Sequence, residues 1–259
     1  HLLLPASLCA CDKRERSPYM PVTLLDTVVI IPTYNERDNI GRLIDEILKQ
    51  PVKTDVLVVD DRSPDGTADL VREIGVQHPQ VKVLVSSERT DYGRSVLSGF
   101  RYAVDNSYSY AITMDADFSH SPEALADMIA PLTSDQADVT VGSRYMNGTI
   151  SVVNWPLRRL ILSVFANRYV KFITGLPLAD CTTGYRGFRR AVLEQIDIDH
   201  IVSNGYSFIS EVNYRAHRKN FRLQEVPIIF VERREGASKM SNKVVIEAIF
   251  MPWRLRLGL

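Results

Sequence analysis

The chain has 259 residues, 45% hydrophobic and 24% charged, which is enough for one large domain or two small ones around a substantial core. Its 31 basic and 31 acidic side chains cancel, which argues against nucleic acid as a partner and makes any basic site a local one. The three cysteines, Cys9, Cys11 and Cys181, do not make a disulfide framework and fit a reducing compartment, and Cys9-x-Cys11 lacks the further ligands of a zinc site.

Residues 1–22 read as an N-terminal extension. Leu2 to Cys11 is apolar but short and has no basic segment before it; a signal-sequence remnant is the other reading. Val28 to Ile31 is an all-apolar, β-branched run ended by Pro32, the pattern of a central parallel strand buried on both faces. Glu36 to Lys49 places Ile40, Leu43, Ile44, Ile47 and Leu48 on one helical face. Val56 to Val59 repeats the strand pattern and runs into Asp60-Asp61. Ser63-Pro64-Asp65-Gly66 is turn chemistry, and Thr67 is expected to cap a helix carrying Leu70, Val71 and Ile74. Asn35 likewise reads as a cap and Asp65 as a turn residue. Val81 to Val85 is a third strand and Gly93 to Asn106 a third helix.

Tyr110 to Met114 is a buried strand that runs directly into Asp115-Ala116-Asp117. A helix is expected from Ser121-Pro122, with serine at the N-cap and proline at the first helical position. Two carboxylates at a strand's C-terminal end lie where open α/β sheets put their ligand crevice. Carboxylate oxygens suit a hard divalent cation, Mg2+ or Mn2+, which can in turn hold a diphosphate. An isolated D-x-D can also just end a strand and begin a turn.

Val139 to Val141 is a fifth strand. Strands alternating with helices from Val28 to Gly142 predict a doubly wound α/β layer with a mostly parallel sheet flanked by helices. Neither the dinucleotide fingerprint nor the phosphate-binding P-loop is present, which counts against a hydride-transfer enzyme and a P-loop kinase. The loops Pro32–Glu36, Asp60–Ser63 and Asp115–Asp117 are predicted to share one crevice. There Tyr34 could pack on a nucleobase and an acidic group could bind ribose hydroxyls or a base edge.

Trp155 to Phe172 is apolar but carries Arg158, Arg159, Arg168 and Lys171. It is too charged to span a bilayer. It fits a helix lying in the headgroup layer or a core helix with solvated basic residues. Arg159 and Ser163 share one helix face. Asp180 to Arg186 reads as a polar loop, Ser207 to Asn220 as a helix, and Val226 to Val231 as a last strand that Pro227 makes an edge or irregular one. Arg233 to Lys239 is a basic loop suited to closing over a phosphate, or a solvated charge run. The C-terminal stretch from Val244, with Trp253, Arg254 and Arg256, is amphipathic and either touches a membrane surface or docks on the domain. Asn147-Gly148-Thr149 matches the glycosylation pattern, and a turn is the preferred reading. Nowhere is there a run of about 18 uncharged apolar residues to span a membrane.

Six ordered motifs carry a family resemblance. They are Pro32-Thr33-Tyr34-Asn35-Glu36, Val59-Asp60-Asp61-x-Ser63-Pro64-Asp65-Gly66-Thr67, Met114-Asp115-Ala116-Asp117-x-Ser119-His120-x-Pro122, Gly142-Ser143-Arg144-Tyr145, Thr182-Thr183-Gly184-Tyr185-Arg186, and Val226-Pro227-Ile228 through Gly236-x-Ser238-Lys239. Over residues 27 to about 245 the chain resembles dolichyl-phosphate (polyprenyl-phosphate) mannosyltransferases, members of the family 2 glycosyltransferases with the GT-A fold. The resemblance implies a catalytic domain over 23–245 and a C-terminal amphipathic tail over 246–259. It implies inverting transfer of mannose from GDP-mannose to a polyprenyl or dolichyl phosphate with a divalent metal.

By position, Pro32, Tyr34, Glu36, Val59 and Asp61 match the family's nucleotide-binding residues, and Asp115, Ala116 and Asp117 its metal–diphosphate motif. Ser119 falls where some members use glutamine as a further metal ligand. Arg144, Arg233 and Lys239 match phosphate-contacting residues that, with Asp117, form the expected catalytic set. Arg159 and Ser163, with Arg144, match the residues that meet the acceptor phosphate. One departure is visible: members commonly have Gly-Leu-Gly near the start of the third helix, where this chain has Asp91-Tyr92-Gly93-Arg94-Ser95.

The acceptor is a phosphate monoester, already anionic near neutral pH, so no general base is needed. The expected enzyme reaches its lipid from the cytoplasmic side of a membrane (endoplasmic reticulum or plasma membrane), by a surface-lying segment or through small membrane-anchoring subunits. Three other readings compete: a UDP-glucose-dependent polyprenyl-phosphate glucosyltransferase, a sugar-nucleotide nucleotidyltransferase, and a non-catalytic nucleotide-binding subunit.

Overall fold

A computed structural model describes residues 26–146, 148–201, 203, 205, 207–231 and 242–258. Its centre is a seven-stranded sheet in the order β10 (Leu223–Pro227), β5 (Val139–Ser143), β9 (Arg186–Arg189), β4 (Tyr110–Thr113), β1 (Thr27–Thr33), β2 (Asp55–Asp60), β3 (Val81–Val85). Strands β1 (Thr27–Thr33), β2 (Asp55–Asp60) and β3 (Val81–Val85) step outward in parallel, linked by helices α1 (Arg37–Leu48) and α2 (Thr67–Gln77). Helix α3 (Tyr92–Asp105) then returns the chain to β4 (Tyr110–Thr113), which pairs in parallel with the other side of β1. The strand order therefore reverses between β1 and β4, and a doubly wound sheet opens its ligand crevice at that reversal.

The apolar strands explain the layering. Along β1 and β2, Val29, Ile31, Val56 and Val58 pack against Ile40, Leu43 and Val71 of α1 and α2. Their alternate residues Val28, Ile30, Leu57 and Val59 pack against Val96, Leu97 and Phe100 of α3. Successive strand side chains point to opposite faces, so a continuous run of β-branched residues needs helices on both sides, and it has them.

Beyond β4 a 3-10 turn (Pro122–Ala124) precedes α4 (Leu125–Thr133) and β5 (Val139–Ser143). The predicted helix start at Ser121-Pro122 is thus a 3-10 turn first, although Ser121 Oγ does accept from the Glu123 amide as an N-cap would (3.3 Å). A hairpin follows, β6 (Tyr145–Met146) with β7 (Thr149–Ile150), then β8 (Val152–Val153), α5 (Leu157–Thr174), β9 (Arg186–Arg189), α6 (Arg190–Gln195) and α7 (Ser207–Arg218). β10 (Leu223–Pro227), β11 (Phe230–Val231) and α8 (Asn242–Leu257) complete the chain.

Four expectations are corrected. The stretch expected as one last strand, Val226 to Val231, is two pieces: β10 ends at Pro227 on the edge of the main sheet, and β11 pairs with β8 in a separate ribbon. Proline lacks the N–H that would continue the ladder. The loop expected over Asp180 to Arg186 runs at its end into β9, an antiparallel strand inserted between β4 and β5. Thr67 is not a cap: it is the first residue of α2, after Gly66 in the left-handed region (φ 82°). Nor does Asn35 cap α1: Glu36 holds that position, and Asn35 sits in the left-handed turn before it (φ 58°).

Helix α8 packs on α5 and α7. Tyr169 of α5 donates to the Ile249 carbonyl (2.7 Å) and accepts from Trp253 Nε1 (3.0 Å), which pins the two helices together.

Candidate active site

The three strand-exit loops do meet around the β1–β4 reversal, and side chains of the first two stitch them together. The Asn35 amide donates to Ser63 Oγ (2.9 Å) and the Glu36 amide to Thr67 Oγ1 (3.2 Å). Asp65 is more than a turn residue. Its Oδ2 accepts the Arg37 amide at the start of α1 (3.1 Å), and its Oδ1 accepts the Thr67 amide and hydroxyl (2.9 and 2.6 Å). One carboxylate thereby serves the exposed N–H groups of two helix starts, where negative charge is also favoured by the helix dipoles.

Neighbouring Asp60 and Asp61 have different partners. Asp60 is buried and accepts from the Thr33 hydroxyl (2.9 Å) and from the Ser63 amide and hydroxyl (2.8 and 2.6 Å). Asp61 faces the segment before α3, accepting from the Thr90 amide and hydroxyl (2.7 and 3.1 Å). In the same segment the Arg89 guanidinium lies over the Tyr34 ring, 3.8 Å from its centroid, and donates to the Tyr34 hydroxyl. Sequence reasoning missed Arg89 and Thr90, because a lone exposed arginine has no periodic signal. Pro32 and Glu36 line the β1 exit, where Glu36 Oε2 accepts from Asn39 (3.0 Å). Val59 is fully buried within the core and Ala116 is 4% exposed, so their side chains contribute shape from behind rather than contacts.

Asp115 and Asp117 stand at the mouth of β4. The backbone between them and Ser119 is tight: Phe118 has φ 60°, a strained setting for a bulky residue, and the Ser119 amide donates to Asp117 Oδ1 (3.0 Å). Ser119 is 1% exposed and its hydroxyl has no hydrogen-bond partner among the described residues. A buried hydroxyl beside a carboxylate fits a cation ligand. Among the described residues no three His, Cys, Asp or Glu side chains form a cage.

His120 supports this loop from beneath. It is 1% exposed, packed at a tilt against Tyr185 (ring centroids 5.1 Å apart, planes at 31°) and set edge-on to Phe230 (5.5 Å). Its Nδ1 accepts the Asp115 amide (3.1 Å), which places the ring proton on Nε2. Burial holds its pKa below the usual histidine value despite nearby Asp115 and Asp117, so the ring is neutral and structural at physiological pH.

On the other flank Arg144 follows β5. It is 6% exposed and forms a two-pronged pair with Asp180, Nε to Oδ2 at 2.7 Å and Nη2 to Oδ1 at 2.8 Å, and also reaches Thr182 (2.8 Å). Burial opposes both charges, yet each partner outweighs it: Asp180 is held below the usual carboxylate range and Arg144 above the usual guanidinium value. Asp180 was not singled out in the sequence. Its neighbour on α5, Asn167, accepts the Cys181 amide (2.7 Å) and donates to Thr182 (3.3 Å). Ser163 accepts from the Tyr145 hydroxyl (2.7 Å), and Arg159 lies 4.2 Å from the centre of the Trp155 ring. The structure thus brings Arg144, Ser163 and Arg159 to one flank. Arg233 and Lys239 lie outside the described residues, as does Asn147 of the glycosylation pattern.

A mostly parallel sheet with a carboxylate pair at its switch point is the GT-A type of architecture. Solved glycosyltransferases share it. Glucosyl-3-phosphoglycerate synthase from Mycobacterium tuberculosis, solved with Mn2+, UDP and glucosyl-3-phosphoglycerate, superposes with TM-score 0.64 at 15% identity, covering 90% of this chain and 80% of that one. The mannosyltransferase PcManGT from Pyrobaculum calidifontis, solved with GDP-Man and Mn2+, gives 0.54 at 19% identity, over 89% and 72%. The chain belongs to glycosyl transferase family 2, whose family model matches residues 28–197, and it is a glycosyltransferase. It is 42% identical over 233 residues to a polyprenol monophosphomannose synthase of Mycolicibacterium smegmatis, across 89% of this chain and 87% of that protein. It is 40% identical over 222 residues to an undecaprenyl-phosphate mannosyltransferase of Micrococcus luteus, across 86% and 90%.

Proposed function

We propose that this enzyme transfers mannose from GDP-mannose to a polyprenyl phosphate with inversion at the anomeric carbon, using a divalent cation. The observation that carries the reading is the near-full-length match, at 42% and 40% identity, to two proteins named for mannosyl transfer to polyprenyl phosphate. The site chemistry supports it. A phosphate monoester oxygen, ionised near neutral pH, bonds to C1 of mannose as the C1–diphosphate bond breaks and GDP departs on the opposite face. No proton has to be removed from the nucleophile, which agrees with a site whose one histidine is neutral and walled in.

Asp115, Asp117 and Ser119 would hold the cation, Mg2+ or Mn2+. When bound, it offsets the charge that builds on the departing diphosphate. Pro32, Tyr34, Glu36 and Asp61 would hold the nucleoside, with Val59 and Ala116 shaping the pocket from behind. Arg159 and Ser163 would meet the acceptor phosphate. Arg144 is a qualified clamp: its charge is largely matched by Asp180, so it orients an anion more than it attracts one. Arg159, Arg233 and Lys239 are the further basic groups assigned to the phosphates.

The lipid implies a membrane. No helix among the described residues is long and apolar enough to cross one. Leu162, Phe165 and Phe172 of α5 and Phe250, Trp253 and Leu257 of α8 are each about half exposed or more. The α5 segment carries four basic residues and no acidic one. Such a face suits the headgroup layer of an anionic bilayer. Of the two routes to the lipid, this surface supports direct seating; small anchoring subunits would be an addition to it.

Incubation with labelled GDP-mannose and a short polyprenyl phosphate should move label into the lipid extract. Labelling from UDP-glucose instead would keep the architecture and change the donor, and no labelling from either would overturn the reading.

A further inference from the structure

We propose that Tyr92 is a positioning residue for the metal–diphosphate motif, holding the Asp115 carboxylate in its working orientation; the inference rests on the reading of Asp115 and Asp117 given above. Tyr92 opens α3, and its hydroxyl donates to Asp115 Oδ1 (3.2 Å). The helix start fixes where that hydroxyl stands. Asp91 caps α3, accepting from the Gly93 and Arg94 amides (2.8 and 3.2 Å) and from the Gly205 amide (3.3 Å). Gly93 lets the helix seat directly on α7: a Cβ there would lie 3.0 Å from Phe208 Cβ.

A second, independent feature makes room for the contact. A Cβ at Gly184 would come within 2.8 Å of the Tyr92 hydroxyl oxygen and 3.2 Å of Asp115 Oδ1. Glycine at this position leaves the space that the hydrogen bond occupies. The Gly184 backbone is itself held over β4, its carbonyl accepting from the Thr113 hydroxyl (2.7 Å). Asp115 is consequently fixed at both ends: its amide on the buried His120 ring and one carboxylate oxygen on Tyr92. A carboxylate held on one oxygen cannot swing freely about its terminal bond, so its other oxygen keeps a fixed direction. Partners of this kind set the orientation of ligating groups, and their loss typically weakens metal binding about 10–100-fold.

The contact also gives the Arg89–Tyr92 segment one partner at each crevice loop: Arg89 on Tyr34, Thr90 on Asp61 and Tyr92 on Asp115.

The test is Mn2+ binding in the presence of GDP, followed by the paramagnetic resonance signal of free Mn2+, in the whole protein and in Tyr92→Phe, Gly184→Ala and Asp117→Ala. Tyr92→Phe keeps the ring and removes the hydroxyl. The expected result is Mn2+ affinity about tenfold weaker, with the metal-free melting temperature unchanged. Gly184→Ala leaves the tyrosine in the sequence but displaces its hydroxyl, and should weaken Mn2+ by a similar factor. Unchanged affinity in Tyr92→Phe and Gly184→Ala, with Asp117→Ala defective, would overturn the role of Tyr92 and leave the metal reading intact. A lowered melting temperature in Tyr92→Phe with native affinity would make the residue purely structural and would also overturn it. Native affinity in Asp117→Ala would sink the metal reading itself.

Discussion

Asp60 ends β2 and Asp117 lies just beyond β4, and the two carboxylates have different surroundings. Asp60 is enclosed by three donors from Thr33 and Ser63, so removing it strands buried polar groups, at roughly 1–3 kcal/mol. Asp60→Ala should therefore lower the melting temperature. Asp117→Ala removes the acceptor of the Ser119 amide; it should still fold, and should lose about a hundredfold or more in turnover, the scale of a lost electrostatic stabiliser. Comparing melting curves with GDP release separates the two.

Asp180 supplies a pH test. Its folded pKa is depressed by Arg144 against the opposing effect of burial. Its contribution to stability is thus fully present above the unfolded carboxylate value near pH 4 and is lost as pH falls further, through the folded value. Asp180→Asn leaves the Arg144 charge buried without its counter-charge and should cost about 3–5 kcal/mol at neutral pH. Denaturant titrations from pH 7 down to about pH 2.5 should show the gap between parent and variant narrowing below pH 4. Burial pushes the Cys181 thiol up to about 12, so this thiol should stay unreactive in the native protein.

At the scale of elements, periodicity made most of the fold legible. The β-branched runs over Val28–Ile31 and Val56–Val59 became the central strands, and the apolar faces of α1 and α3 became the two cores. What stayed hidden depended on partners distant in sequence. β9 reads Arg186-Gly187-Phe188-Arg189, an unpromising strand, because Arg186 at 2% exposure is sustained by the carbonyls of Thr183 and Cys181 (2.7 and 3.1 Å). Burial pulls its pKa down to about 10. The departure at Asp91-Tyr92 was visible, but its consequence was not, since Tyr92 meets Asp115 only after α3 crosses the sheet. α5 left two readings open in the sequence: Val170 and Ile173 are core, as a core helix requires, while Phe165 and Phe172 are exposed. If that outer face seats on lipid, sedimentation with vesicles containing anionic lipid should fall as salt rises. It should fall further in Arg158→Glu/Arg168→Glu, with GDP-mannose binding retained. Salt-independent sedimentation would point to purely apolar insertion.

The whole molecule has two polar flanks. The β1, β2 and β4 exits gather carboxylates and an aromatic, where the proposed function puts the nucleotide and its cation. The β5–α5 side gathers Arg144, Arg159 and Ser163 next to the exposed apolar helix, where it puts the acceptor phosphate. Four of the six motifs lie at the exits of β1, β2, β4 and β5, and Thr182 to Arg186 leads into the antiparallel β9; of the sixth, Val226 to Ile228 is among the described residues and Gly236 to Lys239 is not. The buried partners Asp180 and Asn167 lie outside the motifs and carry no periodic signal, while His120 and Gly184 lie inside them but meet Asp115 and Tyr92 only in the fold. The proposed reaction is a direct displacement in which lipid phosphate attacks and a cation assists the departure of GDP. It is tested most directly by GDP release from GDP-mannose, with and without polyprenyl phosphate and with Mn2+ or a chelator. Release that requires both lipid phosphate and metal, and disappears in Asp117→Ala, is the predicted result. Release at full rate without lipid, or in chelator, would contradict it.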